Sequence, residues 1–345
     1  MTSSAAPLGA PVELSRGLHL VRGRRHGFLF LTDLTNDRNI DGALLRHGAF
    51  DEAEAAVFEL LVFPGDVVLE VASNSGPFTP LLSKLVGPSG LVHAVEPNPR
   101  AHHLLHAQLA LNRVTNVAVH PLAIGRTEGW VRWHRARVGM SGVRRAVHAA
   151  EGRPLLLNGT NCTSTASTAS CIRDGGRTFE HYVRVTTVDG LLHGERCNLL
   201  KLDVEGSELD VLIGAANVLN HSNAPAPRPL VYTEEHASRP SRSRVVALLA
   251  SLDYRVLLHT FCTDDTARAF TYREKNLLAL PAATPKETAA TTSTISRLAR
   301  SPPAGDWSEF DRHSGRFRAM AAWDMLRAAG GAIGGATPAG IRVIS

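Results

Sequence analysis

From Asp51 onward the chain alternates between two hydrophobic periods. DEAEAAVFELLV, beginning at Asp51, repeats apolar residues at helical spacing, and VVLEVA from Val67 is an apolar run of strand length. The alternation continues with FTPLLSKLV as a helix, LVHAVEP as a strand, PRAHHLLHAQLALN as a helix and VTNVAVHPLAI as a strand. Parallel strands need crossover connections, so this rhythm predicts an α/β fold: a mostly parallel sheet with helices on both faces. Residues 134–182, rich in Gly, Ser, Thr and Arg, hold no sustained period and read as a variable insertion. Beyond them YVRVTTVDGLL, NLLKLDVEG, SELDVLIGAANVL, PLVYTEE, SRSRVVALLASLDY and RVLLHTF restore the rhythm, and NLLALP closes it at Pro281.

The two ends of the chain lack this pattern. Residues 1–26 read as a flexible arm, with an organelle transit peptide as the alternative, because arginines and small residues occur there with little acid. At the other end, residues 282–345 begin with a Thr/Ala-rich segment that reads as a low-complexity linker. FRAMAAWDMLRAA then predicts an amphipathic helix that packs on the domain or on a second copy of the chain. The central unit is 27–281.

Composition narrows the class. With 345 residues, 44% of them hydrophobic, the chain can bury a full core. Its apolar runs are far shorter than the roughly 20 residues of a membrane span, so no transmembrane segment is expected. Four scattered cysteines in the sequence form neither a zinc module nor a disulfide framework and suit a reducing, cytoplasmic compartment. A net charge of +5 raises nucleic acid as a partner, but the arginines are spread without interleaved aromatics, and none is expected.

The turn after the first strand, Ala72-Ser73-Asn74-Ser75-Gly76, carries the chemistry. A strand, a small-residue turn and a helix form a nucleotide site, yet GxGxxG is not satisfied, so a pyrophosphate would lack its closest glycine approach. S-adenosylmethionine suits these residues better. It has no pyrophosphate, and its ammonium matches the strand-end carboxylate Glu70. Asn74 tolerates a left-handed backbone, and Glu96 stands about one strand–helix unit on, where an acid takes ribose hydroxyls. The competing reading is a domain without ligand, its two strand-end acids there by accident.

These segments resemble the FkbM-type methyltransferases. Glu70-Val71-Ala72-Ser73-Asn74-Ser75-Gly76 matches the family's D-V-G-A-N-x-G turn, and Val95-Glu96-Pro97-Asn98-Pro99 its F-E-P-N-P strand end. TTVDGLL, LLKLDVEGSELDVLIGA and PLVYTEE continue the likeness, as does the acidic lead-in from Asn36. The resemblance implies a class I methyltransferase Rossmann-like fold with a mostly parallel seven-stranded sheet, S-adenosylmethionine as cofactor and a hydroxyl of a sugar, glycan or other small molecule as acceptor. It further implies that Glu70, Ala72, Asn74, Gly76, Glu96 and Asn98 line the cofactor. Ala72 departs from the family's glycine.

A second acidic set follows. Period-two alternation in NLLKLDVEGSE puts Lys201, Asp203 and Glu205 on one strand face, with Leu200, Leu202 and Val204 opposite. The structural alternative is a Lys–Asp ion pair with Glu205 opening the next helix. The functional reading takes Asp203, Glu205, Glu234 and His236 as catalytic candidates around the acceptor hydroxyl, since methyl transfer needs a positioned nucleophile and a proton acceptor. No metal is required by this set; Asp203, Glu234 and His236 are the alternative as ligands of a divalent ion. His102, His103 and His106 read as a solvated helix face.

Overall fold

The computed structural model describes residues 9–34, 37–133, 172–174, 177–179, 181–220, 227–235, 240–265, 270–301, 303, 306–311 and 316–320. The lead-in begins with three antiparallel strands, β1 (Val12–Ser15), β2 (Leu18–Arg22) and β3 (Leu29–Asp33). Part of the expected flexible arm is therefore a hairpin: Val12, Leu14, Leu18 and Leu20 flank Gly17, whose φ of 82° makes the turn. Two helices follow, α1 (Ile40–His47) and α2 (Glu52–Leu61).

The first wound half runs β4 (Val67–Val71), α3 (Thr79–Val86), β5 (Leu91–Val95), α4 (Pro99–Leu111) and β6 (Val117–His120). Short strands come next: β7 (Ala123–Ile124), β8 (Gly129–Trp133), β9 (Ile172–Asp174), β10 (Arg177–Phe179) and β11 (His181–Thr186). Most of the expected insertion, residues 134–171, lies outside the described residues. The second half is α5 (Val188–Leu192), β12 (Leu199–Leu202), α6 (Glu208–Ile213), α7 (Ala216–Leu219), β13 (Leu230–Glu234) and α8 (Arg244–Ser251). The described chain ends with β14 (Tyr254–Asp265), β15 (Phe270–Pro281), α9 (Pro285–Arg300), β16 (Asp306–Asp311) and β17 (Arg316–Met320).

The central sheet has the order β17-β16-β14-β15-β13-β12-β4-β5-β6. Strands β13, β12, β4, β5 and β6 are parallel, and β15, β14, β16 and β17 continue antiparallel. The α/β reading holds, but the seven strands from β6 to β14 are extended to nine by β16 and β17. Residues 317–320, expected to start a helix, pair instead with β16 as part of β17; residues 321–345, the rest of the expected tail, lie outside the described residues.

Apolar side chains fill both faces of the sheet. On one, Val68, Leu199 and Tyr232 pack against Phe58 of α2, Leu82 of α3 and Leu298 of α9. The other sets Leu69, Leu200 and Val231 against Val211 of α6 and Leu249 of α8. Helix α9 replaces the expected linker. Thr284 and Glu287 form a capping box at its start, Pro285 occupies the first turn, and Thr291, Ile295 and Leu298 are buried on one side. Arg297 Nε donates to the Leu60 carbonyl at 3.3 Å, fastening α9 to α2. Among the described residues no helix is long and apolar enough to cross a membrane.

The strand order reverses beside β4: β5 and β6 lie on one side, β12 and β13 on the other. Doubly wound folds hold their ligands at such a switch point, here at the carboxyl ends of β4 and β12.

Candidate active site at the switch point

Strand β4 must stop and reverse sharply before α3, and its backbone records the constraint. Ala72, Asn74 and Gly76 have φ of 62°, 50° and 88°. The Ser73 N–H donates to the Val95 carbonyl at 3.0 Å, the Gly76 N–H to the Ser73 carbonyl at 2.9 Å and the Ser75 N–H to Asn74 Oδ1 at 2.7 Å. Gly76 is required twice over: a Cβ there would meet Leu105 Cδ1 at 2.5 Å, and its φ disfavours any other residue. Asn74 adopts this region readily, whereas the Cβ of Ala72 makes it cost about 1–2 kcal/mol.

Glu70, 0% exposed, projects from β4 on the face covered by α2 and α3. Its Oε2 accepts from Thr79 Oγ1 at 2.6 Å, while Oε1 is buried without a hydrogen-bond partner. Burial pushes its pKa up to about 6, against the opposing pull of Lys201 and the Thr79 hydroxyl. Such an orphaned oxygen calls for a donor.

Glu96 follows β5 and grips the turn through both oxygens. Oε2 accepts the Asn74 N–H at 2.8 Å and Oε1 the Asn98 N–H at 2.7 Å. Each carboxylate oxygen keeps capacity for a further bond, so two hydroxyls of a ribose can be accepted without releasing the backbone. Burial raises its pKa to about 7 despite these two N–H donors. Asn98, expected at the cofactor, is the N-cap of α4, its Oδ1 accepting from the Arg100 N–H at 3.0 Å.

On the other side of the switch point the alternation read from the sequence stops early. Strand β12 ends at Leu202, so Asp203 and Glu205 lie beyond it in the connection to α6; Asp203 still meets Lys201, while Glu205 and Gly206 form a turn with φ of 52° and 98°. Lys201 lies beside Glu70 on β4 and Tyr232 on β13, 2% exposed, with Phe78 5.2 Å from its Nζ. Its ammonium stands 3.6 Å from Asp203 Oδ2 and 3.9 Å from Glu54 Oε1. Burial pulls its pKa down, but Glu54, Asp203, Glu70 and Glu234 outweigh that and keep the ammonium charged. The Lys–Asp pair is thus present, yet the Asp203 side chain is 38% exposed, just past the carboxyl end of β12.

Glu234 ends β13, opposite Asn276 of β15. His236 lies outside the described residues. Among the described residues no three His, Cys, Asp or Glu side chains gather to hold a metal ion.

Sequence reasoning passed over four acids. Asp37 and Asp41 of the lead-in bond the cofactor turn, Asp33 backs Asp41 through its N–H and binds Arg100 of α4, and Glu54 of α2 approaches Lys201. Asp41 is 0% exposed and burial pushes its pKa up to about 8. A signal existed: Asp37 and Asp41 stand four apart across a helix start, but nothing in the sequence tied them to residues 74 and 75.

A family model for the methyltransferase FkbM domain matches residues 70–256, more than half of the chain. No curated protein matches the sequence significantly. Among solved structures, the chain is similar to a precorrin-6y C5,15-methyltransferase from Geobacter metallireducens, at 10% identity and a TM-score of 0.39, covering 68% of this chain and 93% of that one. An S-adenosylmethionine-dependent O-methyltransferase from Thermotoga maritima follows at 13% identity, a TM-score of 0.38 and 79% of each chain. Fibrillarin from Aeropyrum pernix, with natively bound S-adenosyl-L-methionine, gives 14% identity, a TM-score of 0.34, and 79% and 99% coverage. At such identities and scores the assignment rests on the family match and on the turn, with its partnerless buried carboxylate oxygen and its glycine cradle: the chain belongs to the FkbM methyltransferase domain family, S-adenosylmethionine-dependent methyltransferases.

Proposed function

We propose that the protein methylates a hydroxyl group of a sugar, glycan or other small molecule, with Asp203 as the group that receives the hydroxyl proton. The observation carrying this reading is Asp203 itself, accessible at the carboxyl end of β12 and fixed from behind by Lys201 Nζ at 3.6 Å. Bound S-adenosylmethionine supplies a methyl carbon activated by its sulfonium. Glu70 would hold the amino-acid end of the cofactor, the Ala72–Gly76 turn would shape its approach and Glu96 would take the ribose hydroxyls, while Asn98 keeps Glu96 in place through its N–H. Asp203 would orient the acceptor oxygen in line with the activated methyl carbon and take up the hydroxyl proton. Glu205 and Glu234 border the acceptor side, and His236 is the further candidate read from the sequence. The segment Asp203-Val204-Glu205-Gly206 stands where amino-directed enzymes of nucleic acids carry N/D-P-P-Y/F, and this favours oxygen over a base nitrogen.

Methyl-labelled cofactor offered with panels of sugars, polyols and phenols tests the reading, with base-stable methyl ether formation as the expected product. Labelling only of amines or of RNA would overturn it.

A further inference from the structure

We propose that Asp41 and Asp37, upstream of the matched family span, are positioning residues for the cofactor: they hold the Ala72–Gly76 turn in its binding shape and thereby set the affinity for S-adenosylmethionine. The turn needs such support. Two of its three left-handed residues, Ala72 and Asn74, carry a Cβ, and a strained backbone persists only where its surroundings over-determine it.

The two aspartates supply fastenings from outside the wound sheet. The Asn74 amide donates from Nδ2 to Asp37 Oδ2 at 3.2 Å, and the Ser75 hydroxyl donates to Asp41 Oδ1 at 3.3 Å. Each aspartate is itself held by backbone. Asp41 Oδ2 accepts the Asp33 N–H at 3.0 Å, and Asp37 Oδ1 accepts the N–H groups of Asn39 at 2.8 Å and Ile40 at 3.1 Å.

The frame behind them is anchored as well. Asn112 of α4 pairs with the Leu29 backbone, accepting its N–H at 2.8 Å and donating to its carbonyl at 2.7 Å, and Arg100 of α4 bonds Asp33 through its guanidinium. A tug on Ser75 is therefore transmitted to α4, the helix that also carries the Leu105 contact limiting Gly76. Packing alone does not account for Asp41, because a fully buried carboxylate is costly where an apolar side chain would fill the same space. The partnerless Oε1 of Glu70, at the foot of the same turn, marks where a ligand's donor is wanted.

Titration calorimetry of the full-length protein with S-adenosylhomocysteine tests this, with circular dichroism and thermal melts reporting the fold. Asp41→Ala should weaken binding by about tenfold or more, the equivalent of about 1.4 kcal/mol. Asp41→Asn keeps an acceptor for the Asp33 N–H and a donor toward the Ser75 oxygen, and should stay within about threefold of wild type. Adding Ala72→Gly to Asp41→Ala should recover most of the loss, since glycine takes the left-handed turn without the fastening.

A folded Asp41→Ala variant with wild-type affinity, or a loss that Ala72→Gly leaves untouched, would overturn the proposal. Should Asp41→Ala fail to fold, Asp37→Ala and Ser75→Ala carry the same test, and wild-type affinity in both overturns it. Absence of binding by the wild-type protein would instead remove the cofactor assignment, and this inference with it.

Discussion

The two banks of the switch point are built on opposite plans. On the cofactor bank Glu70 and Glu96 are buried and the turn is fastened from β5 and the lead-in. The bank we assign to the acceptor sets Asp203 partly open to solvent just past the end of β12, tied to the buried Lys201. A ligand common to a family rewards a fixed mould, because preorganised groups lose nothing on binding. A group that must exchange a proton is better served by an accessible site with its charge anchored from behind, as Lys201 anchors Asp203.

Substitutions can break this contrast, the strongest expected on the acceptor bank. Asp203→Asn should lower kcat by about 10²–10⁴-fold, the range of general-base catalysis, while leaving S-adenosylhomocysteine affinity intact; turnover set against calorimetry separates the two. A matching loss of affinity would mean that Asp203 belongs to the cofactor mould.

Gly76→Ala attacks the other bank. The left-handed φ alone costs about 1–2 kcal/mol, and the overlap with Leu105 adds to it, so binding should fall by well over tenfold with a lowered melting temperature.

Glu96→Gln sharpens the comparison through pH. With its pKa raised to about 7 by burial, Glu96 is ionised at pH 8 and largely protonated at pH 6. If the ribose hydroxyls bond the carboxylate, wild-type affinity should drop about tenfold or more from pH 8 to pH 6, and the glutamine variant should keep only about the twofold drop that half-protonation of Glu70 brings. The folded state without cofactor moves the other way. Burial raises Asp41, Glu70 and Glu96 above ordinary carboxylate values, so the native state binds protons more tightly than the unfolded chain. Their contribution is full below the unfolded pKa and is lost as pH rises through about 6 to 8. Melts between pH 5 and pH 8 should therefore fall with pH, and Asp41→Asn should flatten the slope.

Smallest of all is Ala72→Gly in the wild-type background. Relief of about 1 kcal/mol of left-handed strain should tighten S-adenosylhomocysteine binding by up to about fivefold.

Much of the cofactor bank was legible because its elements are local. A strand, a turn and a helix within twenty residues announce themselves, and Glu70, Asn74, Gly76 and Glu96 do converge at one turn. What escaped depends on distance. Nothing about Lys201 in the sequence indicates Glu54, which comes from a helix that only the tertiary fold lays over β12. Alternation was extended past Leu202 because periodicity carries no stop signal, although Gly206 should have supplied one. In 285–300 a Thr-rich composition hid an amphipathic face; Thr284-Pro285-Lys286-Glu287 spelled its capping box. Residues 317–320 read as helical because the apolar residues there suit either period, and pairing with β16 decides the matter.

The bond between Arg297 and the Leu60 carbonyl joins residues 237 positions apart. During synthesis α2 emerges early, with Phe58 and Leu61 awaiting cover that Ile295 and Leu298 provide only after the sheet's parallel strands have been made. Contacts of such separation form late, since loop closure must precede them. Helix α9 thus closes over α2 only after the strands between them have been made, and a nascent chain halted before residue 300 would carry the cofactor turn with Phe58 and Leu61 still lacking that cover.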